Sequence, residues 1–102
     1  MILNPAEKDE IKREVADRLR HEPEVRKVMI FGSFLHKPDP DDLDVAIFQD
    51  SDETYLPLAL KYRRLLRPVA KRIPLDVIPV RPKGAHGPFL QEIEHGEVIY
   101  ER

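Results

Sequence analysis

A chain of 102 residues with 17 Lys plus Arg, 19 Asp plus Glu, 4 His and no Cys has room for one domain around one modest core. A formal net charge of −2 argues against broad electrostatic capture of nucleic acid or anionic membrane, and the lack of Cys excludes disulfide frameworks, thiol nucleophiles and Cys-type zinc sites. No apolar run approaches the roughly 18 residues that a membrane span needs, and MILNPAEKDE lacks the basic and apolar segments of a signal peptide, so a cytoplasmic protein is expected. Asn4 then makes a good N-cap, Pro5 suits the first helical position, and Glu7 stands where a capping-box acid belongs. Ile11, Val15 and Leu19 recur at spacing four, which predicts an amphipathic helix over 5–21, ended by Pro23. Val25 to Phe31 (VRKVMIF) is nearly all apolar after its first residues and reads as a strand buried on both faces.

Gly32-Ser33 breaks that strand. FLHKPDPDD allows at most a turn of helix before Pro38 and Pro40 impose an extended connection. Leu43 to Gln49 (LDVAIFQ) is a second strand. Ser51, Asp52 and Glu53 suit a helix start, and Leu58, Tyr62, Leu65, Leu66 and Val69 share one face of that helix, with Pro68 kinking or ending it. Ile73 to Val80 (IPLDVIPV) is a third strand whose prolines favour a sheet edge. RPKGAHGP reads as a loop, PFLQEIEH as a short helix stopped by Gly96, and VIYE as a last strand, giving an α/β domain. Charged residues reach 35%, Asn and Gln are confined to Asn4, Gln49 and Gln91, and ten prolines are spread through the chain, a thermophile-like profile.

The chemistry concentrates between Phe31 and Phe48. Residues i and i+2 of a strand point to the same face about 6–7 Å apart, so Asp42 and Asp44 project together while Leu43, Val45 and Ile47 enter the opposite layer. Adjacent carboxylates repel unless a cation neutralises them, and hard oxygen ligands suit Mg²⁺ or Mn²⁺. Asp76 stands mid-strand in Leu75-Asp76-Val77, where a charge is costly without a purpose. Three acids on neighbouring strands can hold two metals ~3.5–4 Å apart for in-line phosphoryl transfer. Gly32 lets a triphosphate approach the backbone, and the Ser33 hydroxyl can donate to it.

The pattern MIFGS…DDLDVAIF…IPLDVIPV resembles the DNA polymerase beta-type nucleotidyltransferase superfamily, and within it the minimal nucleotidyltransferases that consist of the catalytic palm alone. Phe31-Gly32-Ser33, Asp42-Leu43-Asp44-Val45 and Leu75-Asp76-Val77 match the family pattern in order, and the ending FLQEIEHGEVIYER looks like its closing helix and strand. The resemblance implies one palm domain over 1–102, a small mixed sheet with flanking helices. It implies that Asp42 and Asp44 ligate both metals, that Asp76 completes the site of the metal activating the acceptor hydroxyl, and that Gly32 and Ser33 hold the phosphates of ATP or another NTP. Many minimal nucleotidyltransferases are antitoxins paired with an all-helical HEPN RNase, silencing it by transferring AMP to a tyrosine. The resemblance therefore also implies a helical HEPN-type partner and a protein-adenylylating enzyme. Two departures stand out. The spacer from Ser33 to Asp42 is eight residues, shorter than is common in that group, and Phe34-Leu35-His36-Lys37 stands where relatives often carry arginines near the phosphates. Lys37 and His36 are the nearby groups that can substitute electrostatically, without the bidentate fork of arginine.

Other readings stay open. Asp39, Asp41, Asp42 and Asp44 also suit a solvated acidic turn, although that leaves Asp76 unexplained; an EF-hand from Asp39 would put Asp44 where Gly is needed and Asp50 where Glu is needed. The run Lys61, Arg63, Arg64, Arg67, Lys71, Arg72 is expected as the solvent face of a helix rather than a nucleic-acid patch. His21, His36, His86 and His95 lack metal-ligand spacing and are expected at the surface, with His36 alone near the nucleotide; Phe34, Phe48, Tyr62 and Phe89 are expected in the core. As a function, occlusion of the partner by an inactive binding module is the alternative to transfer. A small-molecule nucleotidyltransferase is a weaker option, because its relatives need a further domain.

Overall fold

The computed structural model describes residues 2–81 and 95–102. Its elements follow the order α1 (Pro5–Leu19), β1 (Val25–Phe31), α2 (Ser33–His36), β2 (Leu43–Gln49), α3 (Tyr55–Leu65), α4 (Arg67–Ala70), β3 (Leu75–Val80) and β4 (Glu97–Glu101). The expected loop at 81–88 and helix at 88–95, with His86 and Phe89, lie outside the described residues except for Arg81 and His95.

The capping box forms as read. The Glu7 amide donates to Asn4 Oδ1 at 2.8 Å and the Asn4 amide donates to Glu7 Oε1 at 3.1 Å. α1 ends at Leu19 rather than at residue 21, because the Glu22 amide folds back on the Leu19 carbonyl at 3.1 Å. α3 begins at Tyr55 rather than at 51–53. There Gln49 Oε1 accepts from the Ser51 amide at 2.8 Å and Ser51 Oγ from the Glu53 amide at 3.2 Å, so local turns claim those N–H groups. Pro68 makes the break foreseen for it: Leu66 leaves helical geometry at φ −97°, ψ 13°, and α4 restarts with the proline in its first turn. β3 starts at Leu75, not Ile73, because the Ile73 amide still bonds the Val69 carbonyl at 3.2 Å; β4 gains Glu97 at its start.

Among the described residues, one four-stranded mixed sheet has the order β3-β2-β1-β4. β1 is antiparallel to both β2 and β4, while β2 and β3 are parallel and joined through α3 and α4. The prolines do place β3 at an edge. Period-two alternation then divides the side chains. Val28, Ile30, Leu43, Val45, Ile47 and Val77 pack with Ile11, Val15 and Leu19 of α1 and Leu58, Tyr62 and Leu66 of α3 in the main core. Met29, Phe31, Ala46, Phe48 and Val80 form a second buried cluster on the opposite face, so β1 is buried on both sides as read, and β2 is as well. Asp44 and Asp76 belong to that second face by register. Among the described residues, no helix is long and apolar enough to cross a membrane.

Candidate active site

Four chain segments reach the same end of the sheet: the finish of β1 and the starts of β2, β3 and β4. The parallel register sets Asp44 opposite Asp76, and the antiparallel one sets Asp44 opposite Phe31, the residue before Gly32. Asp42 lies two residues before Asp44 on the same face. Asp42, Asp44 and Asp76 thus each offer a carboxylate oxygen within 4.8 Å of the others, the first two half-buried and the third exposed. The cost of a buried mid-strand charge does not single out Asp76, because β3 is an edge strand that leaves it in water. What singles it out is its position opposite Asp44. Asp39 and Asp41 are exposed and outside the cluster, as a solvated turn requires. Asp42 and Asp44 face an acid of another strand, and this departs from a calcium loop, whose ligands come from one continuous segment.

Gly32 turns the chain out of β1 at φ 81°, ψ −156°, a region essentially reserved for glycine. A Cβ there would lie 2.5 Å from Asp44 Oδ2. The glycine therefore gives the Asp44 carboxylate its space as well as opening the backbone. Next to it, Ser33 Oγ is buried and has no hydrogen-bond partner among the described residues, a costly state that a phosphate oxygen would relieve. The loop that carries it is fastened from α1 and the segment before it: Lys8 Nζ donates to the Lys37 carbonyl at 2.6 Å and stands over the Phe34 ring, while the Leu3 amide donates to the Pro38 carbonyl at 2.8 Å. Phe34 is fully buried and anchors α2 in the core.

Phe31, Gly32, His36, Asp44 and His95 line a cavity of about 290 Å³. His36, expected near the nucleotide, lines this space beside Gly32 and Asp44. Lys37 does not line this space; its ammonium lies 4.0 Å from Asp41, out in solvent. His95 does line it, and sequence spacing gave no sign of that. Only the pairing of Glu97 with Ile30, which brings the start of β4 to the end of β1, makes it visible. Along α3 and α4, Arg63, Arg64, Arg67 and Lys71 are exposed, as a solvated face demands, whereas Lys61 and Arg72 are drawn into ion pairs with Glu22, Glu24 and Glu10.

The all-oxygen donor set of the cluster fits Mg²⁺ or Mn²⁺, and the buried Ser33 hydroxyl fits a phosphate group beside it. Such a cluster beside a Gly-Ser turn, on a mixed sheet backed by helices, is the architecture of a nucleotidyltransferase palm. The chain belongs to the polymerase beta nucleotidyltransferase family, whose profile matches residues 13–102. In sequence it is 25% identical over 91 residues to a Methanocaldococcus jannaschii protein provisionally named a protein adenylyltransferase, a match covering 89% of this chain and 91% of that one. In fold it is similar to a chain from the complex of tri-AMPylated Shewanella oneidensis HEPN toxin with MNT antitoxin, with a TM-score of 0.62 and 18% identity over 93% of this chain and 73% of that chain. A toxin–antitoxin crystal structure with AMP-PNP gives a TM-score of 0.62 and 19% identity over 89% of this chain and 73% of that one.

Proposed function

We propose that this chain, working as one catalytic domain over 1–102, transfers AMP from ATP to a hydroxyl group of a helical HEPN-type partner protein. The observation that carries the reading is the convergence of Asp42, Asp44 and Asp76 within 4.8 Å, next to a buried Ser33 hydroxyl that has no partner. The adenylyltransferase name of the archaeal relative and the AMPylated toxin beside a similar fold support the choice of AMP and of a protein acceptor.

In this mechanism two divalent ions, Mg²⁺ or Mn²⁺, would activate the acceptor oxygen and neutralise charge on the α-phosphate and the leaving pyrophosphate. Asp42 and Asp44 would hold both ions, and Asp76 would complete the site of the ion that activates the acceptor oxygen. Gly32 and Ser33 receive the phosphates, the hydroxyl donating to a non-bridging oxygen, and Lys37 adds positive charge at longer range. The acceptor oxygen forms a bond to the α-phosphorus as the bond to the β-phosphate oxygen breaks, and the acceptor proton leaves to solvent past exposed Asp76. Pyrophosphate departs on the Gly32 side. These substrates put the protein in the cytoplasm.

A second reading, neutralisation by occlusion alone, draws on the cavity wall, where imidazoles replace the guanidinium expected of an efficient phosphate site. Intact-mass analysis of a co-expressed HEPN-type partner separates the two. The transfer reading predicts added AMP with the parent chain and none with Asp42→Asn/Asp44→Asn. An unmodified but silenced partner supports occlusion.

A further inference from the structure

One wall of the cavity is not used by this chemistry. Because Glu97 pairs with Ile30, the residue two positions before β4 lies beside the end of β1, where Gly32 turns away. That residue is His95, exposed, on the cavity wall with Phe31, Gly32, His36 and Asp44. Asp44 is the shared edge of the two features: it lines the cavity and belongs to the carboxylate cluster, whereas Asp42 and Asp76 do not line the cavity. The cavity therefore opens on the Gly32 side of the cluster, away from Asp76 and the acceptor. A polyphosphate held at Asp42 and Asp44 and crossing Gly32 extends into it.

The anion needs donors there, and the ammonium groups of Lys8 and Lys37 are engaged elsewhere. Lys8 Nζ is bonded to the Lys37 carbonyl at 2.6 Å, and Lys37 lies beside Asp41 outside the cavity. An imidazole carries at least one N–H donor in either protonation state. We infer that His95 is a nucleotide-binding residue whose ring N–H donates to a non-bridging oxygen of the β- or γ-phosphate, the half of the substrate that leaves as pyrophosphate. This inference rests on the nucleotide reading above and adds a contact from the far end of the chain, brought in by strand pairing.

Titration calorimetry with AMP-PNP·Mg²⁺ and with AMP tests it on the parent, on His95→Phe, which keeps a ring but no donor, and on His95→Gln, which keeps an N–H. The expected result is a roughly tenfold loss of AMP-PNP affinity in His95→Phe, equivalent to about 1.4 kcal/mol. His95→Gln should stay within about threefold of the parent, on the scale of one retained hydrogen bond. AMP, which lacks the β- and γ-phosphates, should bind all three alike. A His95→Phe variant that binds AMP-PNP as the parent does overturns the inference. Equal losses for AMP and AMP-PNP also overturn it, since they put His95 on the nucleoside. A parent that does not bind AMP-PNP·Mg²⁺ overturns the nucleotide reading itself, whereas a binding parent with an indifferent His95→Phe overturns this inference alone.

Discussion

At Gly32 two independent constraints meet, a backbone conformation that side chains avoid and a carboxylate 2.5 Å from where a Cβ would stand. Gly32→Ala should cost about 1–3 kcal/mol, the range for a strained backbone position, and should also displace Asp44. Urea unfolding reads the first effect and AMP-PNP·Mg²⁺ affinity the second. Ser33 gives the opposite sign for stability. Its buried hydroxyl has no partner, so Ser33→Ala should leave the ligand-free protein as stable as the parent or more so. The same substitution should weaken nucleotide binding by about 1–2 kcal/mol, the scale of a hydrogen bond to a charged acceptor. Lower stability with unchanged affinity would make Ser33 a structural residue. The motif residues were legible in the sequence because strand periodicity alone puts Asp42 and Asp44 on one face. The second task of Gly32 was not, since it depends on a side chain twelve residues away and across the sheet.

Between elements, one polar joint lies at the opposite end of β1 from the site. Glu24, just before β1, accepts from Tyr62 Oη at 2.8 Å and from Lys61 Nζ at 2.9 Å, and Lys61 also reaches Glu22 at 2.9 Å. Burial by itself raises the Glu24 carboxyl, but the hydrogen bonds from Lys61, from its own backbone and from Tyr62 outweigh it and hold the group below its ordinary 4.5. Its contribution is fully present above pH 4.5 and is lost as pH falls through the lower folded value. Lys61 is held above 10.5, chiefly by its hydrogen bond to Glu22, and burial, then the bond to Glu24, raises the Tyr62 phenol above 10.0. Their contributions are therefore lost only as pH rises through those raised values. Glu24→Gln should lower the urea midpoint at pH 7 and shrink the difference between pH 7 and pH 3, and an unchanged acid limb would show that the joint carries no linkage. Local signals such as the α1 capping box, the Pro68 break and the β3 edge were readable because each is written within a few residues. The Glu24–Tyr62 joint spans 38 positions, and the late start of α3 follows from Gln49 and Ser51 side chains taking backbone amides. No periodic pattern encodes either.

For the molecule as a whole, the end of the sheet that gathers four chain segments also gathers negative charge, and the opposite-face helices bury the apolar residues that hold it there. Folding thus brings three carboxylates together within 4.8 Å at a cost that a bound cation would offset. Mg²⁺ or Mn²⁺ at a hundred times its Kd should stabilise the fold by about 2.7 kcal/mol, a rise of roughly 4–8 °C in Tm for each kcal/mol in a domain of this size. Asp42→Asn should abolish most of that rise, and a Tm indifferent to metal in the parent would make the acids structural. His95 belongs to this scale too, because only the closing strand brings it to Asp44.

The central claim is that these carboxylates act in transfer and that Asp76 serves the acceptor side alone. The measurement that bears on it most directly is the rate of AMP transfer to the HEPN-type partner by Asp76→Asn at saturating ATP and Mg²⁺. Saturation removes any effect on nucleotide binding, so what remains reports the step in which the acceptor oxygen is activated. The account predicts a fall of at least about a thousandfold, on the scale of a lost transition-state interaction of about 4 kcal/mol. A variant that transfers AMP as fast as the parent would contradict it.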